Sequence, residues 1–115
     1  MKVDLLGLKR QGKTLVATYA FTVTSPAGVE KAEWLYDYLG GHGWDPSLVD
    51  SRNLKLHNVV KAGGQLVASD YQGSEFSPGQ TFYAYAVFGA PPEDVTTMDV
   101  IASHGLPAFI AVPIS

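Results

Sequence analysis

The chain has 115 residues, 46% of them apolar and 17% charged, with a net charge of −3 and no cysteine. That balance fits one folded domain with a single core and sets the chain apart from disordered segments. It excludes disulfides, thiol nucleophiles and cysteine-ligated metal centres, and its eight basic residues are scattered, leaving no basic stripe to neutralise a nucleic acid.

Met1-Lys2 leads directly into a strand-like segment, so no signal peptide is expected in this chain. No apolar run reaches the ~18–20 residues of a membrane span. Val3 to Leu8 predicts a first strand, ended by the polar stretch Lys9 to Gly12, and Lys9, Arg10 and Lys13 read as a solvated hairpin connection. Thr14 to Thr24 alternates, with Leu15, Ala17, Tyr19, Phe21 and Val23 on one face and Thr18, Ala20, Thr22 and Thr24 on the other.

Ser25-Pro26 has the form of a helix start, and Val29, Ala32, Leu35 or Tyr36, and Leu39 follow at helical spacing before Gly40-Gly41. Trp34, Tyr36 and Tyr38 also alternate as a strand would; a short helix from about Glu30 to Leu39 is the expectation. Gly40 to Ser51 reads as a loop built on glycine, Asp45-Pro46 and serine. Asn53 to Val60 predicts a strand with Leu54 and Leu56 on one face and Lys55 and His57 on the other. Lys61 to Gly64 turns it into Gln65 to Ser69, and Asp70 to Ser77 is a polar connection.

Ser77-Pro78-Gly79 fits a type II turn, in which proline fixes the first φ and glycine accepts the positive second one. From Thr81 to Phe88, Phe82, Ala84, Ala86 and Phe88 share one side, and Thr81, Tyr83, Tyr85 and Val87 the other; Pro91-Pro92 stops the strand. Glu93-Asp94 sits in the following turn. Val95 to Ser103 places Met98, Val100 and Ala102 on one face, and His104-Gly105-Leu106-Pro107 turns into a last strand from Ala108 to Ile114. The pattern predicts an all-β domain over 1–115: an antiparallel β-sandwich of about seven strands, with one short helix near 30–39.

Chemistry is sparse. His42, His57 and His104 fall at no metal-ligand spacing. Gly40-Gly41-His42-Gly43-Trp44-Asp45 is the densest local cluster: it brings an imidazole, an indole and a carboxylate close in sequence, although the simpler reading is that the glycines permit a tight loop, Trp44 covers the core edge and Asp45 starts a turn before Pro46. It lacks the lysine and Ser/Thr of a phosphate loop, and no nucleophile elbow occurs. Glu30, Glu33 and Asp37 read as a solvated helix face. Neither a cofactor nor a metal is expected. The aromatics give the better lead: Tyr83 and Tyr85 on the outward face of the 81–88 strand, and Trp34, Tyr36, Tyr38, His42 and Trp44 in the middle of the chain, are the candidate binding residues.

The run Phe76 to Val100, with its Pro78-Gly79 turn, the strand end Tyr85-Ala86-Val87-Phe88-Gly89-Ala90-Pro91-Pro92 and the strand Val95-Thr96-Thr97-Met98-Asp99-Val100, resembles a family of immunoglobulin-like domains. These occur in secreted proteins and lipoproteins of actinobacterial cell envelopes, sometimes beside OmpA-type peptidoglycan-binding domains. The closing Leu106-Pro107-Ala108-Phe109 to Val112-Pro113-Ile114 is similar to the family's ending, and the likeness covers the second half of the chain. Members often carry a cysteine pair just before a Ser-Asp, where this chain has Leu66, Val67 and Ala68 before Ser69-Asp70. The family supplies no site residue to carry over, and Gly28 to Trp44 has no counterpart in it.

The resemblance implies an immunoglobulin-like sandwich and an extracytoplasmic, secreted or envelope-associated location. With it, the expected function is a non-catalytic module that contacts a protein partner. The alternatives are a module binding cell-wall glycan through Tyr83, Tyr85 and Trp44, and an enzyme using His42, Asp45 and another histidine.

Overall fold

The computed structural model describes residues 1–24, 31–103 and 105–115. In chain order its strands are β1 (Lys2–Gln11), β2 (Thr14–Thr22), β3 (Glu33–Trp34), β4 (Ser47–Asp50), β5 (Lys55–Asn58), β6 (Lys61–Ala62), β7 (Gln65–Leu66), β8 (Glu75–Phe76), β9 (Thr81–Gly89), β10 (Thr97–Ile101) and β11 (Phe109–Pro113), and one helical turn, α1, covers Leu35–Tyr38. The fold is all-β and antiparallel. The two larger sheets have the orders β1-β2-β9 and β11-β10-β4-β5, and β3-β8 and β6-β7 form two-stranded sheets of their own; one hydrophobic core lies between the larger two.

The alternation read from β2 fixes this arrangement. Leu15, Ala17, Tyr19, Phe21 and Val23 are all buried, and across the ladder Leu15, Ala17, Tyr19 and Phe21 sit opposite Phe88, Ala86, Ala84 and Phe82. The small Ala17, Ala84 and Ala86 leave room for large rings, so Tyr19 and Phe21 pack against Trp44 edge-on, at 5.1 and 5.6 Å between centroids. The β1–β2 hairpin turns at Gly12-Lys13, with Gly12 at φ +60°, the first central position of a II′ turn. Ser77 to Gln80 is the expected proline-glycine turn: Gln80 N–H donates to the Ser77 carbonyl at 3.0 Å and Gly79 holds φ +90°. β9 ends at Gly89, ahead of the two prolines.

The sheets are tied together at both sides. Beyond β9, Val60 N–H donates to Val87 C=O and Ser69 N–H to Tyr85 C=O, each at 2.9 Å. Beyond β1, the chain's end runs alongside: Arg10 N–H donates to Ser115 C=O at 3.0 Å, and Ser115 N–H to Leu8 C=O at 2.9 Å. Arg10 is not the solvated hairpin residue expected from the sequence. Its guanidinium donates to the carbonyls of Pro91, Pro92 and Val95 at 2.7, 3.4 and 3.3 Å, fastening β1 to the loop after β9.

Three further expectations need correction. The helix expected over 30–39 is the single turn α1: Glu33 and Trp34 pair with Phe76 and Glu75 as strand β3, and the Asp37 carboxylate then accepts Trp34 N–H at 3.1 Å to start the turn. Its expected start at Ser25-Pro26, and Glu30, lie outside the described residues. Inside the expected loop 40–51, Ser47–Asp50 forms β4, an interior strand between β10 and β5. It is too short for its alternation to stand out beside Asp45-Pro46. In β5 the faces are reversed from what leucine suggests. His57 turns partly inward, its Nδ1 donating to Gly89 C=O at 3.0 Å, and Leu54 and Leu56 face solvent.

Two buried polar groups yield expected outcomes. Tyr19 is fully buried, and its hydroxyl has no partner among the described residues; burial pushes that phenol well above its ordinary pKa. An unpaired buried hydroxyl carries a desolvation penalty, so Tyr19→Phe should raise stability by about 1 kcal/mol, read as a higher thermal midpoint by circular dichroism. A drop of similar size would mean that the hydroxyl has a partner.

Asp50 is buried at the end of β4, its carboxylate accepting from the Asn53 side-chain amide at 2.8 Å and from Asn53 N–H at 3.1 Å. The Asn53 side-chain amide, against the opposing effect of burial and helped by neighbouring backbone N–H groups, holds this carboxyl below its ordinary value. A depressed folded-state pKa stabilises the protein above the unfolded value, and that contribution is lost as pH falls through the folded value. Asn53→Ala should therefore cost most stability at neutral pH, and its difference from the parent should shrink as pH falls below about 4 toward the depressed folded value, as read by urea unfolding across that range. A loss of stability that stays the same from neutral to acid pH would remove this role for Asp50.

Candidate functional site

The candidate binding residues separate into four places. Tyr83 and Tyr85 stand on the outer face of β9, 69% and 43% exposed. Strand alternation puts them there, since Ala84 between them and Ala86 after them point to the core. Their cross-strand neighbours on β2 are Ala20 and Thr18, and beyond these on β1 lie Asp4 and Gly7. The floor beside the two rings is therefore small and flat. The register of β1 slips between Leu5 and Gly7, and this bulge leaves Leu6 exposed beside the same face. Thr18, Ala20, Tyr83 and Tyr85 carry no formal charge, and at the edge of this patch the exposed Lys2 and Asp4 side chains lie 3.7 Å apart.

Tyr38 and His42 lie elsewhere, on a cleft of about 610 Å³ lined also by Met1, Leu39, Asp45 and Ser103. Tyr38 acts as a strut: its hydroxyl donates to Phe76 C=O at 2.7 Å and its ring packs on Phe76 at 4.8 Å. Burial first, then the nearby Glu33, Asp37 and Glu75 carboxylates, push its pKa up, while a hydrogen bond at the Glu33 backbone pulls the other way; the phenol stays a neutral donor. His42 and Asp45 are exposed on the cleft, and among the described residues no hydrogen bond links Tyr38, His42, Asp45 and Ser103 to one another. Among the described residues no three metal-ligating side chains are grouped to hold an ion. His104, which the enzymatic alternative could draw on, lies outside the described residues.

Trp34 and Tyr36 occupy a third place, beside α1. Trp34 is half exposed on β3, and Tyr36 stacks on Tyr71 with centroids 6.0 Å apart, its N–H donating to Tyr71 C=O at 3.1 Å. Trp44 is in the core and is not a binding residue. It is 3% exposed, and its indole Nε1–H donates to Ala102 C=O at 2.8 Å. The glycine-rich loop before it serves to bring that ring inward. The Gly40-to-Asp45 cluster therefore divides, its indole going to the interior and its imidazole and carboxylate to the cleft.

Leu6 was missed from sequence. The signal was the adjacent pair Leu5-Leu6 before Gly7, which breaks strict alternation and marks a bulge. The cleft walls from Met1, Ser103 and Leu106 carry no local signal, because distant segments meet only in the fold.

Comparison with protein-family models, curated proteins and solved structures gave no match. Among the described residues no helix is long and apolar enough to cross a membrane.

Proposed function

We propose that the protein is a non-catalytic interaction module, an immunoglobulin-like sandwich of the secreted or cell-envelope space of an actinobacterium. In this reading it binds a protein partner through the outer face of the β1-β2-β9 sheet. The observation that carries the reading is the exposed pair Tyr83 and Tyr85, beside exposed Leu6 and a flat floor of Thr18, Ala20 and Gly7. Tyrosines present large rigid area at low entropy cost and are favoured at the centres of protein contacts. The lack of formal charge in the central patch suits a partner that brings a neutral, partly apolar surface. The strand order of three plus four supports the immunoglobulin-like label. The location rests on the likeness of the Phe76 to Val100 segment alone.

The glycan alternative keeps Tyr83 and Tyr85 but loses Trp44 to the core. Two tyrosines on a flat sheet, away from the polar cleft, provide stacking without the convergent donors and acceptors that orient a sugar. Immobilised protein incubated with actinobacterial envelope extract is expected to retain a protein, and the Tyr83→Ala/Tyr85→Ala variant is expected to lose it. Retention of saccharide alone, or equal retention by the variant, would overturn the reading.

A further inference from the structure

A second surface has a different chemistry. On β1, Leu8 C=O and Arg10 N–H face away from β2 and pair with Ser115. Leu8 and Arg10 lie opposite Ala17 and Leu15, and the same alternating positions of β2, Tyr19 and Phe21, lie opposite Leu5 and Val3. The backbone groups of Val3 and Leu5 therefore also point to the outer edge of β1. Among the described residues no strand pairs with that edge before Leu8.

β11 continues into the parallel Leu8–Ile114 bridge, but toward the start of β1 the two strands part. The gap is an apolar cavity of about 290 Å³ lined by Val3, Ala102, Leu106, Pro107, Ala108 and Phe109. Leu106 also lines the cleft that holds His42 and Asp45, so the two cavities share one wall.

We propose that this seam takes an extended peptide segment of a partner protein as an added β-strand along Val3 to Leu5, with an apolar side chain in the cavity beside Phe109. The occupant follows from three features of the seam. An unpaired strand edge is matched by another backbone. The site continues a strand pairing that Ile114 and Ser115 already make with β1. The cavity beside the edge accepts alternate side chains of a strand, every second one turning inward. The proposal does not rest on the tyrosine face, which lies on the outside of the same sheet.

The probe is a displayed library of random heptapeptides, with selected peptides then synthesised and added to isotope-labelled protein. Peptides with alternating apolar residues are expected. They should shift the amide signals of Val3, Leu5 and Phe109 and slow amide exchange at Val3 and Leu5 about tenfold or more. Val3→Pro removes one edge donor at a position where a strand edge tolerates proline, and should weaken binding about tenfold. Ala108→Trp, at an exposed rim position, should block the cavity and reduce binding even if Val3→Pro fails to fold. Tyr83→Ala/Tyr85→Ala should leave peptide binding unchanged. A library that selects no peptide, peptides that map elsewhere, or binding untouched by Ala108→Trp would each overturn the proposal. So would a dimer at working concentration that Ala108→Trp dissolves, because the seam would then hold a second copy.

Discussion

Trp44→Ala is expected to destabilise the protein by about 3–5 kcal/mol, enough to leave much of a marginally stable domain unfolded. The indole fills the space between Tyr19 and Phe21, both edge-on to it, and covers the end of the core. Its removal opens a cavity that the rigid strands around it cannot close. It also strands the Ala102 carbonyl, which Nε1–H satisfies at 2.8 Å. Trp44→Phe separates these contributions: most of the volume stays, the hydrogen bond goes, and the expected cost is about 1–3 kcal/mol. Urea unfolding followed by circular dichroism measures both. Near-equal stability of Trp44→Ala and the parent would contradict the placement of this ring.

The second large effect is on binding. Tyr83→Ala/Tyr85→Ala is expected to weaken the captured protein's affinity about 100-fold or more, since central aromatic contacts are worth about 2 kcal/mol or more each. The same variant should change unfolding free energy by less than about 1 kcal/mol, because both rings are exposed and lose only cross-strand contacts. This separation of binding from stability is the opposite of what Trp44 predicts, and it makes the two aromatic classes distinguishable by one pair of measurements.

Most of the scaffold was legible because strand alternation is a strong local signal. The β2 face from Leu15 to Val23, the turn at Pro78-Gly79, and the core side of β9 follow from period-two spacing and turn chemistry alone. What escaped depends on long-range partners. β4 has only four residues, and its place between β10 and β5 comes from neighbours supplied by distant parts of the chain. Leu54 and Leu56 look like core residues, yet His57 takes the inward position because the Gly89 carbonyl is there to receive it. Leu35 to Leu39 has helical spacing, but pairing of Glu33-Trp34 with Glu75-Phe76 claims the segment just ahead and leaves one turn.

The binding candidates divide along the same line. Tyr83 and Tyr85 were readable as outward-facing, since alternation assigns them once Ala84 and Ala86 are core. Trp44 was not readable, because a tryptophan after a glycine-rich loop can go either way, and the vacancy between Tyr19 and Phe21 decides it.

Site-specific photocrosslinking tests the tyrosine face most directly. A photoreactive residue placed at Thr18, exposed between Tyr85 and Gly7, and irradiated in envelope extract should give a discrete protein adduct. The adduct should vanish in the Tyr83→Ala/Tyr85→Ala background and should be missing when the photoreactive residue replaces Leu56 on the opposite sheet. An adduct that forms from Leu56 but not from Thr18, or one at Thr18 that survives loss of both tyrosines, would contradict the account.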